Sequence, residues 1–540
     1  KYNIRYNKIS GMELQKNKVR DCIFGIVSMV VCLCVLSVFA VIFVIPFVKD
    51  WPYSLGFSLD HLKAVFTDTG LSGVYKNSIF VAVATAVFGT LTSYGAAIVT
   101  ARSKVSESLK QIIEGIALIT NTIPGMVLGL AFLFCFSGTE LQSTFAILII
   151  CNVIHFFSTP YLMMKSSLAK MNASWETTAM LMGDNWIKTI IRVVTPNAMS
   201  TIIEVFSYYF INAMVTVSAV IFIAGARTMV ITTKIKELQY YNKFNEVFVL
   251  SLLMLGTNLL AKAVFQLLAN KKQNTQKEKK MKRSKNLKRA ICAGMVGVMG
   301  LSLFSVTGCS QKSGQDSQVV IYSNADDEAV EAMKAALDDN GYKGQYIFQT
   351  FGTSELGGKL LAEGSDIEAD LVTMSTFYVE SAQDEKKMFK DLTFDVNTLD
   401  EYPSYCAPIT AQEGTIIVNT ELMKENNLDM PTSLKDLAKS EYKGQIAVTD
   451  IASSSTAWLL LQGLISEYGE DGAKDVLKDI YVNAGDHIEE SGSGPLKLVR
   501  AGEVAVGFGL RQQAVADKES GLPIDYVDPA EGNFTLTESA

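Results

Sequence analysis

Hydroxyl side chains recur at one kind of position in the second half of this chain. Ser323-Asn324 follows the apolar run QVVIYS, Thr353-Ser354 precedes ELGGKLL, and Ser375-Thr376 follows DLVTM. Ser453, Ser454, Ser455 and Thr456 precede AWLLLQG, and Ser491 and Ser493 stand in SGSGP before Pro495, a favourable first helical residue. Each lies where a strand gives way to a helix, and the free N–H groups of a helix start form a ready site for an anion. Ser and Thr are also favoured helix N-caps, so one such pair says little. Five junctions in one domain point to a shared pocket of neutral donors that holds an anionic solute and releases it intact. No nucleophile–base pair accompanies them. The metal-ligand inventory is thin: His61, His155 and His487 are far apart, and no CxxC or HExxH spacing occurs. Six of the eight cysteines lie in apolar runs, leaving Cys309 and Cys406, so neither a metal site nor a disulfide framework is expected.

The elements that must position these hydroxyls alternate. QVVIYS, YIFQTF, ADLVTMS, GTIIVN and GQIAVTD read as strands, and DEAVEAMKAALDDN, SELGGKLLAEG, SLKDLAKSEY and STAWLLLQGLISEYG as helices. That alternation predicts an α/β domain with mainly parallel sheets, whose ligands bind at the carboxyl ends of the strands.

The rest of the chain is of another kind. It has 540 residues, 49% of them hydrophobic, and a net charge of -7 that averages an apolar first half with an acidic stretch after residue 315. That is too apolar for an ordinary soluble protein, and nothing in the balance points to nucleic acid. A spanning helix needs about 20 mostly apolar residues. Six stretches qualify: 22–48, 78–101, 111–137, 141–163, 199–224 and 246–269. Arg5, Lys8, Lys16, Lys18 and Arg20 before the first, Arg102, Lys104 and Lys110 after the second, and Lys165, Lys170, Lys188 and Arg192 after the fourth put those segments in the cytoplasm. Arg227, Lys234, Lys236 and Lys243 run against that rule, since they fall in the expected outer loop at 225–245.

Between spans four and five, ASWETTAMLMGDNWIKTIIRVVTPNAMSTI (173–202) reads as two short amphipathic helices bent at Gly183-Asp184-Asn185, with Pro196 stopping the second. Such a pair outside the membrane can dock in a partner's groove. Beyond span six, Lys271 to Arg289 holds ten Lys/Arg and one acid, Glu278. MKRSKNLKRA (281–290) and ICAGMVGVMGLSLFSV after it have the form of a signal peptide's basic and apolar regions, which places everything after residue 310 outside the cell.

Three sets of residues resemble known families. Glu176-Thr177-Thr178-Ala179 with Gly183 and Pro196 resembles the loop by which permeases of ABC-type importers grip their cytoplasmic ATPase, although Thr177-Thr178 stand where Ala is usual and Thr195 where Leu is usual. Val306-Thr307-Gly308-Cys309 resembles a bacterial lipobox, in which the peptide is cut before a Cys that is acylated. From residue 318 the chain resembles extracellular solute-binding proteins of the branch that takes ferric iron and 2-aminoethylphosphonate, in IYSNADDEAVEAMK, GTSELGGKLLAEG, ESGSGPLKLVRAGEVAVGFGLRQQA and YVDPAEG among other segments. Iron-binding members place a Tyr-Tyr pair near GFGLRQQ; residues 507–513 have none.

The resemblance implies an α-helical membrane domain of six transmembrane helices followed by an α/β two-lobed periplasmic-binding-protein-like domain. The expected divisions are a cytoplasmic segment 1–21, a permease 22–270 with coupling loop 173–198, a basic linker and signal peptide 271–309, and an extracellular binding domain 310–540 that ends short of the family's usual length. Its implied cargo is 2-aminoethylphosphonate or a related organophosphonate, with Asp450 or Glu490 facing the ammonium. Ferric iron or another anion, and a membrane-tethered sensor, are the alternatives. No Walker A motif occurs, since GTSELGGKLL has Gly358 where Lys is needed. The chain would bind no cofactor itself. An ATPase dimer would use the ATP, and a second permease subunit or copy would complete the transporter. Lys1, the end at Ala540 and the internal Met281 suggest a fragment, or two reading frames joined.

Overall fold

The computed structural model describes residues 18–50, 54–67, 70–120, 122–172, 174–241, 243–278, 318–398 and 401–540. The expected signal peptide, the lipobox and Cys309 lie outside them.

Among the described residues, four helices are long and apolar enough to cross a membrane: Val19–Phe47, Leu71–Arg102, Trp186–Val215 and Phe244–Leu267. Two further spans exist only if bent helix pairs are counted as one each. Glu107–Thr120 and Gly125–Phe136 meet at 109°, and Phe145–His155 and Ser158–Ala169 at 56°. The first bend falls at Thr122-Ile123-Pro124, where a proline excludes helical backbone from the residue before it. The expected span 111–137 is therefore not one straight helix.

The fifth span also differs from its expected bounds of 199–224, because helix runs unbroken from Trp186 and ends at Val215. Pro196 does not stop a helix. It sits in the first turn of Thr195–Val215, and the preceding Ile190–Val194 widens into a π-helical turn. Proline offers no N–H, and a widened turn absorbs the missing bond without ending the helix.

Small residues let these helices approach closely, as membrane packing requires. A Cβ on Gly89 would lie 2.6 Å from the ring of Tyr209. Tyr209 is fully buried and shares a 2.8 Å hydrogen bond with Ser93. The first span instead turns Phe24, Met29 and Leu33 outward, as a lipid-facing helix should.

The receptor half builds one curled nine-stranded sheet. In order it runs Tyr346–Thr350, Val319–Ser323, Leu371–Ser375, Thr535–Ser539, Pro408–Asn419, Val506–Leu510, Ile446–Thr449 and Ile488–Glu489, with Ile524–Val527 also on Pro408–Asn419. The sheet is mixed and not mainly parallel: Pro408–Asn419 pairs antiparallel with all three of its neighbours. This strand is the crossing between lobes. Its first half pairs with Thr535–Ser539 in lobe one, and its second half enters the buried core of lobe two.

Lobe one packs Val320, Tyr322, Leu356, Leu360 and Met374; lobe two packs Ile416, Val418, Leu459, Leu460 and Phe508. Three of the five expected strands end where expected, while Tyr346–Thr350 stops before Phe351 and Ile446–Thr449 before Asp450. The stretch 433–442 forms two short 3-10 turns in place of a helix, and the helix from Thr456 continues to Ala484 across a kink at Gly469.

Candidate functional site: the cleft and the coupling loop

Strand ends from both lobes meet in a closed cleft. The backbone N–H of Thr353 donates to Ser453 O (3.2 Å), Ser354 Oγ donates to the carbonyl of Ala452, and Ser493 N donates to Asp326 Oδ1 (3.2 Å). Lys497 and Gln513 of lobe two reach Asp327 and Glu328 of lobe one, and Phe377 stacks on Trp458.

Of the expected residues, Asn324, Thr353, Ser354, Ser453, Ser454, Ser455, Thr456, Ser491 and Ser493 come together at this seam. Asn324 Nδ2 donates to Thr353 Oγ1 at 3.0 Å, and Ser491 and Ser493 approach each other at 3.5 Å. Gly492 lets this segment lie against Thr456, whose Oγ1 would be 2.3 Å from a Cβ there. Ser375, Ser455 and Ser493 occupy N-cap positions but form no side-chain cap bond, and the buried Ser375 Oγ and Asn324 Oδ1 have no partner. Ser375 Oγ and Asn324 Oδ1 are available to a ligand. Ser323 and Thr376 are committed locally, to Thr373 and Ala325 and to Ser539 respectively.

The cleft also holds two carboxyls that the motif reading missed. Asp326 and Glu538 are both buried. Burial lifts the Asp326 carboxyl to about 6 against the pull of Lys497. Burial, and then the charge of Asp326, lifts Glu538 to about 8. Next to them Asp327 is held low by Lys497 and Lys243 although burial opposes it. Asp326 reads in sequence as an ordinary first-turn helix acid, and Glu538 carries no local signal at all. Asp450 does not face the cleft acids: its carboxylate accepts from Ala452 N (2.8 Å) in its own turn. Glu490 pairs with Lys236 of the permease at 3.4 Å. Among the described residues, no three His, Cys, Asp or Glu side chains gather as a metal cluster.

The outer loop's unexpected basic residues find their reason here. Lys243 pairs with Asp327 (3.2 Å), Lys236 with Glu490, and Arg227 Nη2 donates to Gln318 O (3.0 Å). Glu368 of lobe one in turn accepts from the backbone N–H of Ala226 at 3.0 Å. Lys497 of lobe two donates to Tyr241 O at 2.7 Å. These outer charges serve the acidic receptor.

At the opposite face, Ser174–Leu181 forms the first helix of the expected coupling loop. Gly183 turns it at φ 80°, and Asn185 Oδ1 accepts from Lys188 N (2.8 Å) to start the next helix. Ala179 is buried and Glu176 Oε1 lies 3.0 Å from Arg102 Nε, at the end of the second span. Met180, Leu181, Met182, Trp186 and Ile187 are exposed together, an apolar patch of the kind that marks an interaction site.

Comparison with known proteins fits this division. Residues 93–274 match the family described as binding-protein-dependent transport system inner membrane component, and residues 328–539 match bacterial extracellular solute-binding protein. An uncharacterized protein of Haemophilus influenzae is 33% identical over 116 residues, 21% of this chain and 33% of the relative. The Fe(3+)-binding periplasmic protein of Serratia marcescens is 28% identical over 222 residues, 40% of this chain and 62% of the relative. The spermidine/putrescine-binding periplasmic protein of Escherichia coli is 26% identical over 215 residues, 36% of this chain and 59% of the relative. The chain thus spans less than two thirds of each of these relatives. Among solved structures, the periplasmic binding protein AfuA of Actinobacillus pleuropneumoniae aligns with TM-score 0.37 and 23% identity over 41% of this chain and 73% of that one. The chain accordingly joins a permease domain of binding-protein-dependent transport systems, multi-pass in the inner membrane, to a bacterial extracellular solute-binding domain on the periplasmic side.

Proposed function

We propose that this chain supplies both the membrane pathway and the receptor of an ABC importer for a small solute bearing an anionic head and an ammonium group, with 2-aminoethylphosphonate the specific candidate. One observation carries the reading: a single closed cleft gathers hydroxyls at helix starts together with the buried pair Asp326 and Glu538. Helix starts suit a phosphonate, and buried carboxyls suit an ammonium that ionises them. The receptor closes on the solute and presents it to the permease. A separate cytoplasmic ATPase dimer grips the loop around Glu176, Ala179, Gly183 and Pro196, and a second permease subunit or copy completes the pathway. The chain itself catalyses nothing and ATP is consumed by the partner. Acylation at Cys309 anchors the receptor to the bilayer.

The names of two relatives favour specific rivals, ferric ion and polyamines, and the acid pair would suit the latter. Calorimetric titration of the full chain in nanodiscs separates the three. Tight binding of 2-aminoethylphosphonate, with ethylphosphonate weaker and ferric citrate and putrescine silent, is the expected result. Putrescine or ferric citrate binding more tightly than 2-aminoethylphosphonate overturns it.

A further inference from the structure

Where the seam meets the outer stretch of the permease lies a cavity of about 270 Å³, whose wall includes Ser354 and Ser453. That is far more than the ~15 Å³ a single water needs. The permease contributes Lys236, Glu237 and Tyr240 to its wall, and the receptor Gln349, Glu355 and Glu490. Two of the three carboxylates are already matched, Glu490 by Lys236 at 3.4 Å and Glu237 by Lys234 at 3.0 Å. Glu355 has no ion-pair partner among the described residues, and burial raises its carboxyl above the ordinary value.

An independent feature points to a ligand in the same place. Gln349 is only 6% exposed, and its amide oxygen accepts no hydrogen bond. A buried carbonyl without a donor forfeits a hydrogen bond it would have in water, so the site is completed by something that brings N–H groups. Tyr240 lines this cavity, and burial first, then the charges of Asp326, Glu538, Glu355 and Glu490, raise its hydroxyl.

We propose that this junction cavity is a second binding position for the ammonium group of the solute, in which Glu355 and Gln349 Oε1 accept its hydrogen bonds after it leaves the cleft and before it enters the permease. The proposal rests on the reading above that the cargo carries an ammonium. Glu355 supplies the charge, Gln349 the neutral acceptor, and the Lys236–Glu490 pair closes one wall.

The test uses the full chain in nanodiscs and two half-molecules of the proposed cargo, ethylammonium and ethylphosphonate, each titrated by calorimetry. Ethylammonium should bind the wild-type chain in two events, one at the cleft acids and one at the junction, and Glu355→Gln combined with Gln349→Leu should weaken the junction event roughly tenfold while the cleft event stays, the loss expected when a charge-assisted hydrogen bond is removed. Ethylphosphonate binding should be unchanged in that variant, which also reports that it is folded. Glu490→Gln, at a more exposed position, provides a milder variant with the same direction of effect. A second ethylammonium event unchanged in the double variant, or a single event only in the wild type, overturns the second position. Absence of ethylphosphonate binding in the wild type would instead overturn the phosphonate reading of the cleft.

Discussion

At the scale of residues, the cleft is set by two buried carboxyls that form no ion pair among the described residues. Asp326 and Glu538 hold their protons to about 6 and about 8, above the values of 3.8 and 4.5 they would have in an unfolded chain. Between those limits the folded receptor binds protons that the unfolded chain has already shed. Their contribution to stability is therefore complete in acid and is lost as pH rises, up to about 8 for Glu538. Thermal melts of the ligand-free full chain should show the receptor transition falling between about pH 5 and pH 8, and Glu538→Gln should flatten the upper part of that fall. A slope identical to wild type would count against a proton held there. The groups facing Glu538 are Asp326 and the Tyr240 hydroxyl, with Lys497 acting on Asp326. An ammonium-bearing ligand favours the ionised carboxyls, so its binding should release protons and tighten from pH 6 to pH 8.

At the scale of elements, the proposed coupling loop is joined to the permease core by a largely buried ion pair. Arg102 ends the second span, donates to the carbonyl of Met171 at 2.9 Å, and holds Glu176 at 3.0 Å. The same span packs on Thr195–Val215 through Gly89 and Tyr209, so a push on the loop has a rigid element to act on. Removing one partner of a buried pair leaves an uncompensated charge. Arg102→Gln should abolish solute-stimulated ATP hydrolysis in proteoliposomes containing the ATPase while leaving solute binding intact. The reciprocal exchange Arg102→Glu with Glu176→Arg should restore part of it. Full activity in Arg102→Gln would refute a role for the pair. Gly183 at φ 80° is the other fixed point: a side chain there costs about 1 kcal/mol of strain and would disturb the bend.

At the scale of the whole molecule, receptor and permease meet through charge and backbone contacts spread over both lobes: Glu368 and Asp327 on lobe one, Lys497 and Glu490 on lobe two. Contact with both lobes means the permease surface fits the closed receptor, so closure and docking support each other. With residues 279–317 carrying the proposed cleavage site, mass spectrometry of the product from bacterial membranes should find a receptor species beginning at acylated Cys309. An intact 540-residue chain as the sole product would show instead a receptor tethered through the polypeptide. If the chain is cut, these docking contacts and the lipid alone hold the two halves together.

What could be read from the residues follows from local physics. Runs of apolar residues long enough to span a bilayer, the period of the receptor's strands and helices, and the turn at Gly183 are each set by near neighbours in the chain. The hydroxyls at strand ends were legible for the same reason, and nine of the twelve do meet at the seam. Other features depended on residues far apart in sequence. Pro160 and Pro124 lie near two breaks in the expected spans, but bend angles of 56° and 109° are decided by packing. The basic outer loop contradicted the charge rule until its partners, Asp327, Gln318 and Glu490, were brought to it from beyond the linker. Glu538 lies more than two hundred residues from Asp326. Only the strand Thr535–Ser539, returning between Leu371–Ser375 and Pro408–Asn419, buries it beside that acid. The sequence by itself determined a membrane half, a receptor half and the hydroxyls that gather at the seam. The tertiary structure decided that the cleft also holds two buried carboxyls, because burial and the pairing of distant carboxyls exist only once the chain is folded.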